Sequence, residues 1–143
     1  MVHALREAHR VLKPAGLLID LRPSAAHRQV GILCAGRCQP LGTVHRNIDD
    51  VRAANRAVAR IVRAGLFKIE WRVRFDCNRI MDTPAEFQDW WDEFAHKQLD
   101  DSILRNIDDA LQSNREEKKI FVTTPLVLRS LRKGEEAGLA KIS

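Results

Sequence analysis

Residues 67–77 read FKIEWRVRFDC, and no other stretch of this chain restricts its fold as tightly. Phe67, Ile69, Trp71, Val73, Phe75 and Cys77 share one parity, while Lys68, Glu70, Arg72, Arg74 and Asp76 share the other. A helix repeats every 3.6 residues and cannot sort such a run into two classes. A strand, whose side chains alternate between faces, does so at once. The pattern predicts a strand with one face in the core and the other in water or against a polar partner.

Other segments supply the elements around it. Ala4, Leu5, Ala8, Val11 and Leu12 give residues 3–12 an apolar helical face, which Pro14 and Gly16 end. Leu17 to Leu21 is a short, nearly all-apolar run that fits a strand buried on both faces, as in a parallel sheet. Residues 28–46 alternate around Ala35-Gly36 and read as a hairpin, or else as an irregular excursion over the sheet's edge. Asn47 is placed to cap a helix over 48–64, with Asp49 and Asp50 in its first turn and Gly65 as its stop. Arg52, Arg56, Arg60 and Arg63 follow one face of it, either as a solvated stripe or as contacts for phosphate. Thr83-Pro84-Ala85-Glu86 is a capping box that opens a helix over 84–98, and a second helix follows near 102–114. A last strand covers 118–132, with Pro125 at a bulge or an edge. Residues 134–143 read as a flexible tail.

At 143 residues, one domain over 1–133 is expected, and 45% hydrophobic with 30% charged residues describes a water-soluble composition. No apolar run approaches the roughly 18 residues of a membrane span, and Arg6, Glu7, His9 and Arg10 interrupt any signal-peptide core. A cytoplasmic location is the expectation. Cys34, Cys38 and Cys77 are odd in number, and no second Cys/His pair stands at zinc spacing, so neither a disulfide framework nor a metal site is expected. The net charge of +5 admits a basic nucleic-acid-binding module as a minor reading. The chain has no tyrosine on which bases could stack, so nucleic acid is not the expected partner.

The opening block carries the most specific signal. Arg6-Glu7, Arg10-Val11-Leu12-Lys13-Pro14-Ala15-Gly16 and Leu17 to Pro23 form a helix, a tight break and a strand with a polar exit. This resembles class I S-adenosylmethionine-dependent methyltransferases, in which R-E-x-x-R-V-L-K-P-G-G joins the fourth helix to the fifth strand. Gly65-Leu66-Phe67 and Asp82-Thr83-Pro84-Ala85-Glu86-Phe87 extend the likeness to bacterial members, over residues 1–133. Ala15 stands where that family has its first glycine, at a cost of about 1 kcal/mol if the position is left-handed.

The resemblance implies an α/β fold: a truncated Rossmann-like half-domain with a small mixed sheet, its last strand antiparallel between the family's fifth and sixth. The family's cofactor site lies upstream of this block, and the seven glycines here are scattered, without a G-x-G-x-G turn. The resemblance therefore implies no cofactor in the isolated chain, and S-adenosylmethionine only when a partner completes it. An association-stabilised fragment or pseudoenzyme is the leading expectation. A working transferase, assembled by dimerisation or with a separate N-terminal chain, is the alternative. The 17–21 strand is expected to have an open edge, covered by a second copy or another chain. The resemblance also marks Asp20, Arg22 and His27 as substrate contacts, with Asp20–Arg22 pairing as the plainer account of the first two. Trp90, Trp91 and Phe94 are candidates to wall a pocket for a flat substrate, to make a dimer contact, or to pack the core. Neighbouring helical positions diverge by about 100°, so one tryptophan is expected to be exposed or at an interface. His3, His9, His45 and His96 have no partner at catalytic or metal spacing and read as surface residues.

Overall fold

Breakers and caps set the element boundaries in the computed structural model, which describes residues 1–45, 47–94, 101–113 and 116–134. The order is α1 (Val2–Val11), β1 (Leu17–Pro23), β2 (Arg28–Cys34), β3 (Arg37–Val44), α2 (Asp49–Arg63), β4 (Phe67–Met81), α3 (Pro84–Phe94), α4 (Asp101–Gln112) and β5 (Lys118–Lys133). Leu12 leaves α1 in extended backbone ahead of Pro14, and Ala15 is left-handed at φ 57°. That is the conformation glycine would hold more cheaply. Ala35 and Gly36, both at positive φ, make the two-residue turn of the β2–β3 hairpin. Asn47 Oδ1 accepts from Asp49 N at 2.9 Å, so it braces the turn before α2, whose cap residue is Ile48. At the other end Gly65 N bonds Val62 O and Leu66 N bonds Ile61 O, the paired closure a left-handed glycine permits. Glu86 N donates to Thr83 Oγ1, the forward half of the capping box of α3, while Glu86 Oε2 accepts from Asp82 N, one residue before the cap.

The five strands form an open sheet in the order β1-β5-β2-β3, with β4 also paired to β5. It is antiparallel, not mixed: β1 and β2 each run antiparallel to β5, and β3 to β2. The reason is that β5 lies between β1 and β4, so those two never pair directly. Thr124 and Pro125 fall in neither the β2 nor the β1 ladder, so the missing amide of Pro125 breaks no bond of those two ladders.

The chain divides into two compact units. Among the described residues, the first gathers 1–25, 47–75 and 126–134. Leu5, Ala57, Val58, Ile61, Phe67 and Leu131 form its core, with Val2, Leu12 and Leu18 packed against them. The buried stripe of α1 is therefore Val2, Leu5, His9 and Leu12. Val11, expected on that stripe, is exposed. His9 is no surface residue; it is buried edge-on against Phe67 at 5.4 Å between ring centroids. The second unit gathers 26–46 and 76–125. There α3 and α4 bring Phe87, Trp90, Trp91 and Ile107 onto Val30, Ile32, Ile120 and Val122.

Two strands depart from expectation. β1 is half-buried, not buried on both faces: Leu18 packs into the core while Leu17, Ile19 and Leu21 are exposed by 45 to 54%. The core formed by α1 and α2 takes one face only, and β1 is an edge strand. β4 departs further. Phe67 and Met81 are buried at its ends, and every residue between is exposed on both faces. The helices expected over 84–98 and 102–114 are observed as α3 and α4. Residues 95–98 and 114 and the expected tail from 135 on lie outside the described residues.

Candidate functional site

In the first unit, the polar exit of β1 builds a charge cluster. Asp20 and Arg22 are two apart on a strand and so share a face. Arg22 donates Nε to Asp20 Oδ1 at 2.6 Å and Nη2 to Oδ2 at 2.8 Å. Arg129, on β5 and directly opposite Asp20 in the ladder, donates Nη1 to Oδ2 at 2.8 Å. Its Nη2 reaches Asn55 Oδ1 on α2 at 2.9 Å. Both arginines and the carboxylate are largely withdrawn from water. Burial by itself would raise the pKa of Asp20, but hydrogen bonds from Arg22 and Arg129 outweigh it and hold the carboxyl below its ordinary value. An aspartate held this way is ionised at neutral pH and is a weak base. The cluster can anchor and orient; it is not built to accept a proton. Arg22 Nη1 is buried without a hydrogen-bond partner.

Arg129 and Asn55 were not among the sequence candidates. The signal for Arg129 is its parity: it stands between Val127 and Leu131 on the buried side of β5. A charge at a core position of an apolar strand calls for a buried partner. Asn55 lies among the buried alanines and valine of α2, one residue after Ala54.

The remaining candidates lie in the second unit. The ring of His27 meets His45 edge-on, 4.5 Å between centroids, at the mouth of the β2–β3 hairpin. His45 thus has a partner that spacing along the chain did not show. Trp90 and Trp91 are both buried within the chain, so neither is the exposed or interfacial ring that was expected. Their centroids are 6.1 Å apart, and each lies within 6.3 Å of the Phe87 ring, so one aromatic cluster holds both. The Arg28 guanidinium covers Trp90 at 5.1 Å from its centroid. The side chain of Phe94, and His96, lie outside the described residues.

A cavity of about 650 Å³ opens at the hairpin turn beside Cys34, Arg37, Cys38 and Glu116. Cys34 Sγ donates to Glu116 Oε2 at 3.0 Å, and that bond raises the thiol's pKa, which disfavours the nucleophilic thiolate. Cross-strand register pairs Cys34 with Arg37 and Cys38 with Leu33, so the two cysteines point to opposite faces of the hairpin. Among the described residues, no group of three His, Cys, Asp or Glu side chains is placed to hold a metal ion, and no helix is long and apolar enough to cross a membrane. Comparison with protein-family models, with curated proteins and with solved structures found no match.

Proposed function

We propose that this chain is a methyltransferase-type half-domain that works in association, with the methyl donor held by a second polypeptide segment added at the open edge of β1. One observation carries the reading: β5 runs antiparallel between β1 and β4, and β1 has no ladder partner on its other side among the described residues. In the family that Lys13 to Pro23 resembles, the last strand also lies antiparallel between the fifth and sixth, and that shared placement supports the reading.

The residues present do not fit the donor by themselves. A nucleoside-bearing cofactor needs a glycine turn between a strand's end and a helix start, where backbone amides come close to the ligand. The left-handed glycines here do other work: Gly36 closes a hairpin and Gly65 closes a helix. S-Adenosylmethionine, when bound, supplies an electrophilic methyl group on a sulfonium. In this reading the chain contributes positioning, through the locked Asp20–Arg22–Arg129 cluster at the carboxyl end of β1, and Asp20 does not serve as the general base. Calorimetric titration of the chain with S-adenosylmethionine tests the proposal. No heat of binding is expected up to high micromolar cofactor, and micromolar affinity of the chain alone would overturn it.

A further inference from the structure

The middle of β4 is apolar, exposed and without a cover. Ile69, Trp71, Val73 and Phe75 are each 40 to 46% exposed, and β5 is the one ladder partner of β4 among the described residues. Among the described residues its other edge therefore presents unpaired backbone donors and acceptors, which are a template for another strand. Proteins blunt such edges with charge that repels a newcomer. Here the charge is arranged otherwise.

Along the polar parity the order is Lys68, Glu70, Arg72, Arg74, Asp76. Its outer pairs are complementary about Arg72: a cation at 68 answers an anion at 76, and an anion at 70 answers a cation at 74. We infer that β4 pairs antiparallel with β4 of a second copy of this chain, about a two-fold axis at Arg72. In that register Lys68 opposes Asp76 of the second copy, and Glu70, which already accepts from Arg132 within its own chain, opposes Arg74. On the other face Ile69 opposes Phe75, and Trp71 opposes Val73, aromatic on aliphatic. Such directly opposed pairs are the unit of sheet stabilisation.

The register is selected by the alternatives it excludes. A slip of one residue sets every apolar side chain opposite a charged one. An axis at Trp71 opposes Lys68 to Arg74. An axis at Val73 opposes Glu70 to Asp76 and Arg72 to Arg74. The chosen register leaves one like pair, Arg72 on its own symmetry mate, with the Glu70–Arg74 pairs next to it on either side. The contact is isologous, so it closes at two copies and leaves no edge of β4 to propagate a fibre.

This inference does not depend on the methyltransferase reading, because it uses β4 and leaves the edge of β1 untouched. The test is sedimentation equilibrium of the full chain with two charge-reversed variants, Lys68→Glu and Asp76→Lys. Both sites are exposed, so neither change disturbs the core. Wild type is expected to show a species of twice the 16.3 kDa chain mass at micromolar concentration. Each variant alone opposes like charges at two symmetry-related positions and weakens association by about tenfold. An equimolar mixture of the two restores opposite charges at both positions and returns association to the wild-type level. A wild type that stays at 16.3 kDa up to hundreds of micromolar, or a mixture that associates no better than its components, overturns the inference. Titration of the same samples with S-adenosylmethionine judges the other reading separately.

Discussion

Two sheet surfaces in this molecule share a sequence pattern and differ in what became of it. In the second unit, Val30, Ile32, Ile120 and Val122 alternate along β2 and β5 and are buried beneath Phe87, Trp90, Trp91 and Ile107. On β4, Ile69, Trp71, Val73 and Phe75 alternate at least as strictly and are left in solvent. The distinction lies in the supply of covering side chains. α3 and α4 bring large aromatic and branched residues to the second unit. In the first, α1 and α2 cover Leu18 and Leu131 and reach Phe67 at the start of β4. Alternation states which residues share a face. Whether the same chain covers that face depends on helices elsewhere. Full burial of a large apolar side chain is worth about 1.5–3 kcal/mol, so an uncovered row of four is a sizeable unused resource.

The greatest loss of stability is expected from Phe87→Ala. Phe87 is fully buried at the meeting point of both tryptophans, and its loss leaves a cavity that a packed cluster fills poorly. A loss of about 3–5 kcal/mol is expected, read by urea denaturation. A cost below 1 kcal/mol would mean that the second unit is no better packed than β4. Next comes Asp20→Ala, expected to cost about 3 kcal/mol, because it strands the buried Arg129 and most of Arg22 without their carboxylate. The pH dependence has a definite sign. Folding lowers the pKa of Asp20, so its contribution is complete above the unfolded value of about 3.9 and is lost as pH falls through the lower folded value. Acid unfolding profiles of wild type and variant should converge below that window. Profiles that stay parallel down to pH 2 would show that the cluster is not the source.

Much of the fold was legible because local rules and tertiary outcome agree. The strict parity of 67–77, the Ala35-Gly36 turn, the Thr83–Glu86 capping box and the Gly65 stop each fixed an element from its own residues. What escaped was set by distant partners. An apolar LLIDL run reads as doubly buried, yet its neighbours cover one face. His9 reads as surface, yet Phe67 lies beside it after the chain returns. The pairing of Asp20 with Arg22 needs only a shared strand face, so it was visible in the sequence. Arg129, 109 residues away, needs the β1–β5 register before it can be seen. Trp90 and Trp91 point apart on a helix, but the Phe87 ring between them and the sheet beneath let one cluster hold both.

Smaller effects sharpen the picture. Gly31 lies where β2 passes close under its neighbours: an added Cβ would meet Gln39 O and approach the Phe121 ring to 2.6 Å. Gly31→Ala is expected to cost about 1–3 kcal/mol, read by thermal melting, and a neutral result would mean that the β2–β3 hairpin shifts freely on the sheet. Ala15→Gly acts in the opposite direction. It relieves a left-handed alanine and should stabilise the chain by up to about 1 kcal/mol, less the entropy glycine adds to the unfolded state.

The smallest expected effect is the most informative for β4. Trp71→Thr keeps a β-branched residue that suits a strand and removes an indole that is nearly half exposed. In dilute solution, below the concentration at which copies pair, the change should cost no more than about 0.5 kcal/mol in urea denaturation, the usual range for a surface position. At high concentration the same substitution should cost more, because Trp71 then lies opposite Val73 of a second copy. A cost that grows with concentration ties the exposed row to association. A cost above about 2 kcal/mol that is already full in dilute solution would mean that the row is covered within one chain, and the contrast between the two sheet surfaces would collapse.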